Sequence, residues 1–248
     1  MKIKKFLLAL ILANLSVQAC NANETILYSV TDVSWEPYWI IEQGSASGIL
    51  ADFMEVIGGK IRADLQPSQP YPVKRAQMLF ERGDIVIECC VNQAWRDAQD
   101  NHGASLWTET VLSTNEVAVF PAGKEFSVKQ PSDLTGKQVA TILGYGYVGD
   151  DLFMRNDVLN NIAQLKLVAF ERVEAAIFDI HELSYLLQTH PEAIKLQSKI
   201  TIGETISSSD LKIRIHSKYP ELLPQINSEI RRMSKNGEIS SIVKRYIH

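Results

Sequence analysis

A guanidinium at Arg96, a carboxylate at Asp179 and aromatic rings at Trp35 and Tyr71 are the side chains of this 248-residue chain best suited to holding a small charged molecule. A guanidinium presents a planar fork of donors that fits a carboxylate through two parallel bonds. An ionised aspartate accepts charge-assisted bonds from an ammonium group. Aromatic rings bury large areas and stack over cations. The set would hold a small zwitterion or carboxylate. Each residue also has a plainer role. Arg96 has Asp97 and Asp100 near it in sequence and could sit solvated in a charged loop. Asp179 could cap a helix beginning near Glu182. Trp35 could be ordinary core, and its neighbours Asp32 and Glu36 ordinary solvated acids.

The elements that carry these residues favour the binding roles. From Tyr71 to Arg96 the chain reads YPVKRAQMLFERGDIVIECCVNQAWR. Val73, Ala76, Met78, Leu79 and Phe80 recur at helical spacing, and Gly83 stops the helix. Asp84 then opens an apolar run over 85–87 that predicts a buried strand. Arg96 lies past the carboxyl end of that strand, where parallel sheets present their ligand groups. The apolar run over 175–178 predicts another strand, with Asp179 at its end. Further strands are expected over 25–31, 61–65, 115–120, 137–143, 165–170, 200–206 and 211–216. Helices are expected over 50–57, 147–154, 182–189, 220–235 and 237–247. This is an α/β pattern of parallel strands joined by helices.

Gly144-Tyr145-Gly146-Tyr147-Val148-Gly149 is a literal GxGxxG after a predicted strand, with Glu171 after the next one. A dinucleotide site would use these glycines for the pyrophosphate and the acid for a ribose. The motif's mid-chain position and the export signal described below argue against that use. The better reading of Gly144, Tyr145 and Gly146 is a wall of a small-ligand cleft, whose backbone N–H groups form an anion nest at the start of the 147–154 helix. No HExxH or GxSxG occurs, and His102, His190, His216 and His248 lack metal-ligand spacing. No cofactor and no metal are expected.

Lys2, Lys4 and Lys5 precede an apolar run over 6–17, with Ala19 and Ala22 as cleavage positions, which predicts an export signal over 1–22. The run is short for a membrane span. Without that segment the chain carries 22 Lys+Arg against 29 Asp+Glu, so nucleic acid is a poor partner. Cys20 lies in Val17-Gln18-Ala19-Cys20, a partial lipoprotein box, and lipidation there is the alternative to a freely soluble product. Cys89 and Cys90 are adjacent, which excludes a bridge between distant segments with this pair. They read as two small thiols at a strand end, the alternative being a bond between the neighbours in an oxidising compartment.

The chain resembles extracellular solute-binding proteins of family 3, the polar amino-acid binding proteins of ABC importers. The resemblance rests on the Tyr71–Arg96 stretch, on Trp35-Glu36-Pro37-Tyr38 before Gly48, and on Asp133-Leu134-Thr135-Gly136-Lys137 leading to Gly144. It continues through Arg172-Val173-Glu174-Ala175-Ala176-Ile177-Phe178-Asp179 and the closing segment from Pro220 through Gly237-Glu238-Ile239 to Tyr246. It implies a two-lobed periplasmic-binding-protein-like fold of type II, with the ligand cleft between lobes joined by two crossover strands. Lobe one would comprise 23–116 and 207–248, and lobe two 117–206. It further implies a monomer in the periplasm, a small amino acid or other carboxylate-bearing ligand, and delivery to an ABC permease. Arg96 would take the ligand's α-carboxylate, Asp179 its α-amino group, and Trp35 and Tyr71 would line the side-chain pocket. Cys89 and Val91 stand where the family commonly offers Ser or Thr hydroxyls, and the second-lobe hydroxyl is replaced within Gly144–Tyr147. Two other readings share the scaffold: an exported dehydratase of the cyclohexadienyl type, with Glu174 or Asp179 as acid, and a stand-alone ligand sensor.

Overall fold

The computed structural model describes residues 25–97 and 103–247. The expected export signal, Cys20 and Asp100 lie outside the described residues. Among the described residues no helix is long and apolar enough to cross a membrane.

The described residues form ten strands and eight helices. In chain order the strands are β1 (Thr25–Tyr28), β2 (Ile40–Glu42), β3 (Ser45–Ser47), β4 (Asp64–Pro67), β5 (Ile87–Val91), β6 (Ser105–Pro121), β7 (Gln138–Ile142), β8 (Met154–Val158), β9 (Ala175–Asp179) and β10 (Ile200–His216). The helices are α1 (Ile49–Gly58), α2 (Val73–Arg82), α3 (Ala94–Asp97), α4 (Asn161–Ala169), α5 (Ile180–Thr189), α6 (Pro191–Leu196), α7 (Leu222–Lys235) and α8 (Glu238–Tyr246).

Eight strands are bonded in the order β4-β1-β5-β10-β6-β9-β7-β8. The 17-residue β6 and β10 run antiparallel through the middle, paired from Ser105↔His216 to Pro121↔Ile200. On one side β1 pairs in parallel with β4 and β5; on the other β7 pairs in parallel with β8 and β9. Two separate sets of cores result. One gathers Phe53, Ile57, Ile87, Ile213, Ile226 and Ile242 around α1, α7 and α8. The other lies on the two faces of the β9-β7 half, with Leu165, Val168 and Leu183 on one and Phe120, Leu134 and Ile177 on the other. The molecule is two-lobed, and β6 and β10 are the strands that cross.

Three local expectations are corrected. The segment 165–170 is the end of helix α4 and not a strand. Leu-Lys-Leu-Val-Ala-Phe alternates briefly enough to imitate a strand, but Leu165, Val168 and Ala169 are buried at helical spacing. The Asn160 side chain caps this helix by accepting from Ala163 N. The expected helix over 147–154 is absent, since Gly149 is a left-handed turn residue and the chain enters β8 at Met154. The glycine-rich turn therefore has no helix N-terminus behind it. Finally, Cys89 and Cys90 are bonded to each other as a vicinal disulfide rather than standing as two thiols.

Two glycines set backbone the site depends on. Gly83 closes α2 at φ 82°, a left-handed C-terminal residue. Gly48, at φ 110°, precedes α1, and a Cβ there would stand 2.6 Å from the Tyr38 carbonyl and 2.7 Å from that of Pro37. Those carbonyls accept from Leu50 and Ile49, so the aromatic loop over 35–38 is fastened to the start of α1.

Candidate functional site

Between the lobes lies a cavity of about 610 Å³, within the range of small-molecule sites. The ends of β5 and β9, the β7 turn and the aromatic loop over 35–39 converge on it. Arg96, Asp179, Trp35, Gly144, Tyr145, Gly146, Cys89 and Val91 all line this one cavity, although they are spread over 145 residues of sequence. Tyr71 does not line it. Its backbone bridges Thr31, its hydroxyl accepts from Gln69 Nε2 at 2.8 Å, and its ring lies under the Arg75 guanidinium. Glu174 is also elsewhere, paired with Lys137 on an outer face.

Arg96 has a carboxylate partner from its own chain. Its Nε donates to both oxygens of Glu88 at 3.1 Å and its Nη2 donates to Oε1 at 2.6 Å. Nη1 donates to the Trp95 carbonyl at 3.3 Å. Glu88 also faces Arg214 Nη1 at 3.4 Å, and Arg214 is itself buried over the Phe80 ring and bonded to Ser105. The Glu88 and Arg96 side chains are 12% and 13% exposed, so this ion pair is largely withdrawn from water.

On the opposite wall Asp179 does two things. Its Oδ1 caps α5 by accepting from the N–H groups of His181 and Glu182 at 2.8 and 2.9 Å. The Tyr38 hydroxyl lies 3.0 and 3.1 Å from its two oxygens, and also 3.0 Å from the Thr114 hydroxyl and 2.9 Å from His181 Nδ1. Glu182, one turn into α5, accepts from Trp35 Nε1 and from Asn161 Nδ2, each at 2.6 Å. Glu116 on β6 accepts from the Ser207 hydroxyl. Trp35 and Tyr38 belong to the first lobe and Asp179, His181 and Glu182 to the second, so these bonds tie the lobes across the cleft.

The three acids share an environment that opposes their charge. Burial pushes the Asp179 carboxyl up to about 6, against the hydrogen bonds that favour its anion. Burial, with the Asp179 charge added, pushes Glu182 up to about 7. Burial raises Glu116 as well and lowers the His181 imidazole, which keeps that ring neutral beside Tyr38. Aromatic surface frames the acids: Trp35 packs on Tyr38 with ring centres 4.2 Å apart and meets the edge of Trp95 at 6.1 Å. Trp39 is fixed by its Nε1 bond to the Cys89 carbonyl.

Reading the sequence missed Glu88, Glu116 and Glu182. A signal existed for two of them. Glu88 interrupts an apolar strand, and a charge within a buried strand calls for a partner. Glu182 sits three residues after Asp179, in the first turn of a helix that starts at the cleft. Glu116 had none, because it is one of several polar residues on a long strand.

No protein-family model and no curated protein sequence matches the chain. Solved structures do match in fold. The GluR0 ligand-binding core in complex with L-glutamate aligns with a TM-score of 0.71 and 17% identity, over 92% of this chain and 100% of that one. The L-cystine solute receptor of Neisseria gonorrhoeae, in its unliganded open conformation, aligns at 0.69 and 13%, over 92% and 94%. The ancestral amino acid-binding protein AncCDT-1, a precursor of cyclohexadienyl dehydratase, aligns at 0.64 and 15%, over 90% and 96%. At these identities the likeness establishes the two-lobed α/β fold.

Proposed function

We propose that this protein is an exported receptor that captures a small amine-bearing solute in the cleft between its lobes and delivers it to an ABC importer's permease. The observation that carries the reading is the inter-lobe cavity itself, walled by Trp35, Trp39, Trp95 and Tyr145 and by the carboxylates of Glu116, Asp179 and Glu182. Aromatic faces and buried anions both attract an ammonium group. A ligand touching the Trp35 side and the Asp179 side gains its full set of contacts only when the lobes are together, so it favours the closed arrangement. The fold shared with amino-acid-binding receptors supports the class, and the basic-apolar N-terminal pattern supports export. The test is a thermal-shift screen of the purified mature chain against amino acids, amines and organic acids, because a ligand at 100 times its Kd stabilises by about 2.7 kcal/mol. Stabilisation by amine-bearing compounds is expected; response to none of the three classes rejects the reading.

A dehydratase on the same scaffold is the second reading. It is favoured by one observation: a buried cleft carboxyl, Glu182, held up to about 7, is the kind of group that can act as a general acid at neutral pH. Turnover of prephenate or arogenate by the purified chain, lost in Glu182→Gln, would establish it.

A further inference from the structure

We infer that the solute of this cleft is an amine lacking a carboxylate beside its ammonium group, because Glu88 of the chain itself occupies the Nε–Nη2 edge of Arg96 and offsets its charge. The inference rests on the receptor reading above and narrows its ligand class.

Among the described residues lining the cavity, Arg96 is the sole basic one. Its Nε and Nη2 edge is committed to both oxygens of Glu88 and Nη1 donates to the Trp95 carbonyl, which leaves a ligand carboxylate only the outer Nη1–Nη2 edge of a guanidinium whose charge Glu88 already offsets. A ligand carboxylate approaching the same fork would meet the Glu88 charge at hydrogen-bonding distance, and like charges so placed repel strongly where water is thin. Displacing Glu88 would break a largely desolvated ion pair and leave Glu88 with Arg214 alone. Hydroxyl donors do not compensate along the β5 wall. Positions 89 and 91 offer a disulfide sulfur and the methyl groups of a valine. The remaining charged groups on the walls, Glu116, Asp179 and Glu182, are all acidic and would repel a carboxylate from the other side.

The same walls suit a bare ammonium. Among the described residues, Oδ2 of Asp179 accepts only from Tyr38, and only Ser207 donates to Glu116. Both carboxylates thus retain acceptor capacity. Burial would make each bond to an ammonium strong. Trp35, Trp95 and Tyr145 supply flat faces for the cation and for an apolar or aromatic body attached to it.

Matched pairs that differ only by the carboxylate test this directly: tyramine against tyrosine, agmatine against arginine, and cadaverine against lysine, each titrated calorimetrically into the mature protein at pH 8. In at least one pair the decarboxylated member should bind tenfold or more tightly than the amino acid. The variant Glu88→Gln, which removes the anion from the fork and leaves only a weaker amide acceptor there, should gain at least tenfold in affinity for the amino-acid member of that pair. Amino acids binding as tightly as or more tightly than their amines in the unaltered protein would overturn the inference and leave the receptor reading standing. Binding of no member of any pair would overturn both.

Discussion

At the first-lobe end of the cleft Glu88 has two guanidiniums for counter-ions, whereas at the second-lobe end the charge of Asp179 adds to burial in raising the proton affinity of Glu182 and Glu116. At the first end the charges are opposite and the Arg96–Glu88 geometry is bidentate. The second end is held by neutral donors, the indole of Trp35, the amide of Asn161 and the hydroxyls of Tyr38 and Ser207. Such donors satisfy lone pairs without cancelling charge. An arginine in a cleft is therefore a poor guide to ligand charge until its partners are known. The ligand is read better from the end whose charges have no opposite.

The largest effect should come from the uncompensated end. Asp179→Asn retains a side-chain oxygen to cap α5 but removes the anion, so affinity for a cationic ligand should fall by 2–5 kcal/mol, roughly thirtyfold to several thousandfold. Circular dichroism should show the fold unchanged. Asp179→Ala should add about 1 kcal/mol of destabilisation through loss of the cap. Unaltered affinity in Asp179→Asn by calorimetry would remove Asp179 from the site.

Arg96→Ala probes the compensated end, and there the main consequence should be on stability. Glu88 would keep Arg214 but lose its bidentate partner, costing about 3 kcal/mol in denaturant unfolding, the low end for breaking a buried pair. Affinity for an amine should change less than in Asp179→Asn. The opposite ranking, with Arg96→Ala abolishing binding at unchanged stability, would restore Arg96 as the ligand's own anchor and break the comparison.

pH should act through the second end. Asp179 and Glu182 titrate at about 6 and about 7 in the folded protein, above their unfolded values near 4. Between about pH 4 and 7 the folded chain holds protons that the unfolded chain has released, so stability without ligand should fall as pH rises through that window. The loss is on the order of 3 kcal/mol per group, and less than twice that for both, since part of the Glu182 shift is the charge of Asp179. A bound ammonium favours the ionised carboxyls, so amine affinity should rise over the same window with release of protons. Calorimetry in buffers of differing ionisation enthalpy measures that release. Asp179→Asn should shrink both profiles, leaving the part of the Glu182 titration that burial causes.

The smallest effect is expected for Trp35→Phe, which keeps an aromatic wall but removes the indole donor to Glu182. A lost bond to a charged acceptor is worth about 1.5–3 kcal/mol before relaxation, and the exposed rim of the cleft lets water replace part of it. Weaker binding by about tenfold, together with a larger radius of gyration in solution scattering, would show that this bond helps hold the lobes together. An unchanged radius would restrict Trp35 to the ligand wall.

The sequence by itself determined the α/β alternation, the helix ending at Gly83, the strand leading to Asp179 and most of the residues that face the cleft. These are local matters: periodicity, stop residues and strand ends are written within a dozen neighbouring positions. It misread 165–170 because so short an apolar run satisfies both periods and only burial against other elements chooses between them, and it misread 147–154 because the left-handed turn at Gly149 breaks the helix expected there. Tyr71 was placed at the pocket by the resemblance alone, and in the structure it contacts Arg75 and Gln69 and does not line the cavity. Tertiary structure alone decided the electrostatics. That Glu88 reaches back to Arg96, that Glu182 meets Trp35 across 147 positions, and that Glu116 joins them from a crossing strand follow from where β5, β6 and β9 are set in one sheet. Charge sign is legible in a sequence. Charge pairing is not, because it depends on distances of a few ångströms between residues that only the folded sheet brings together.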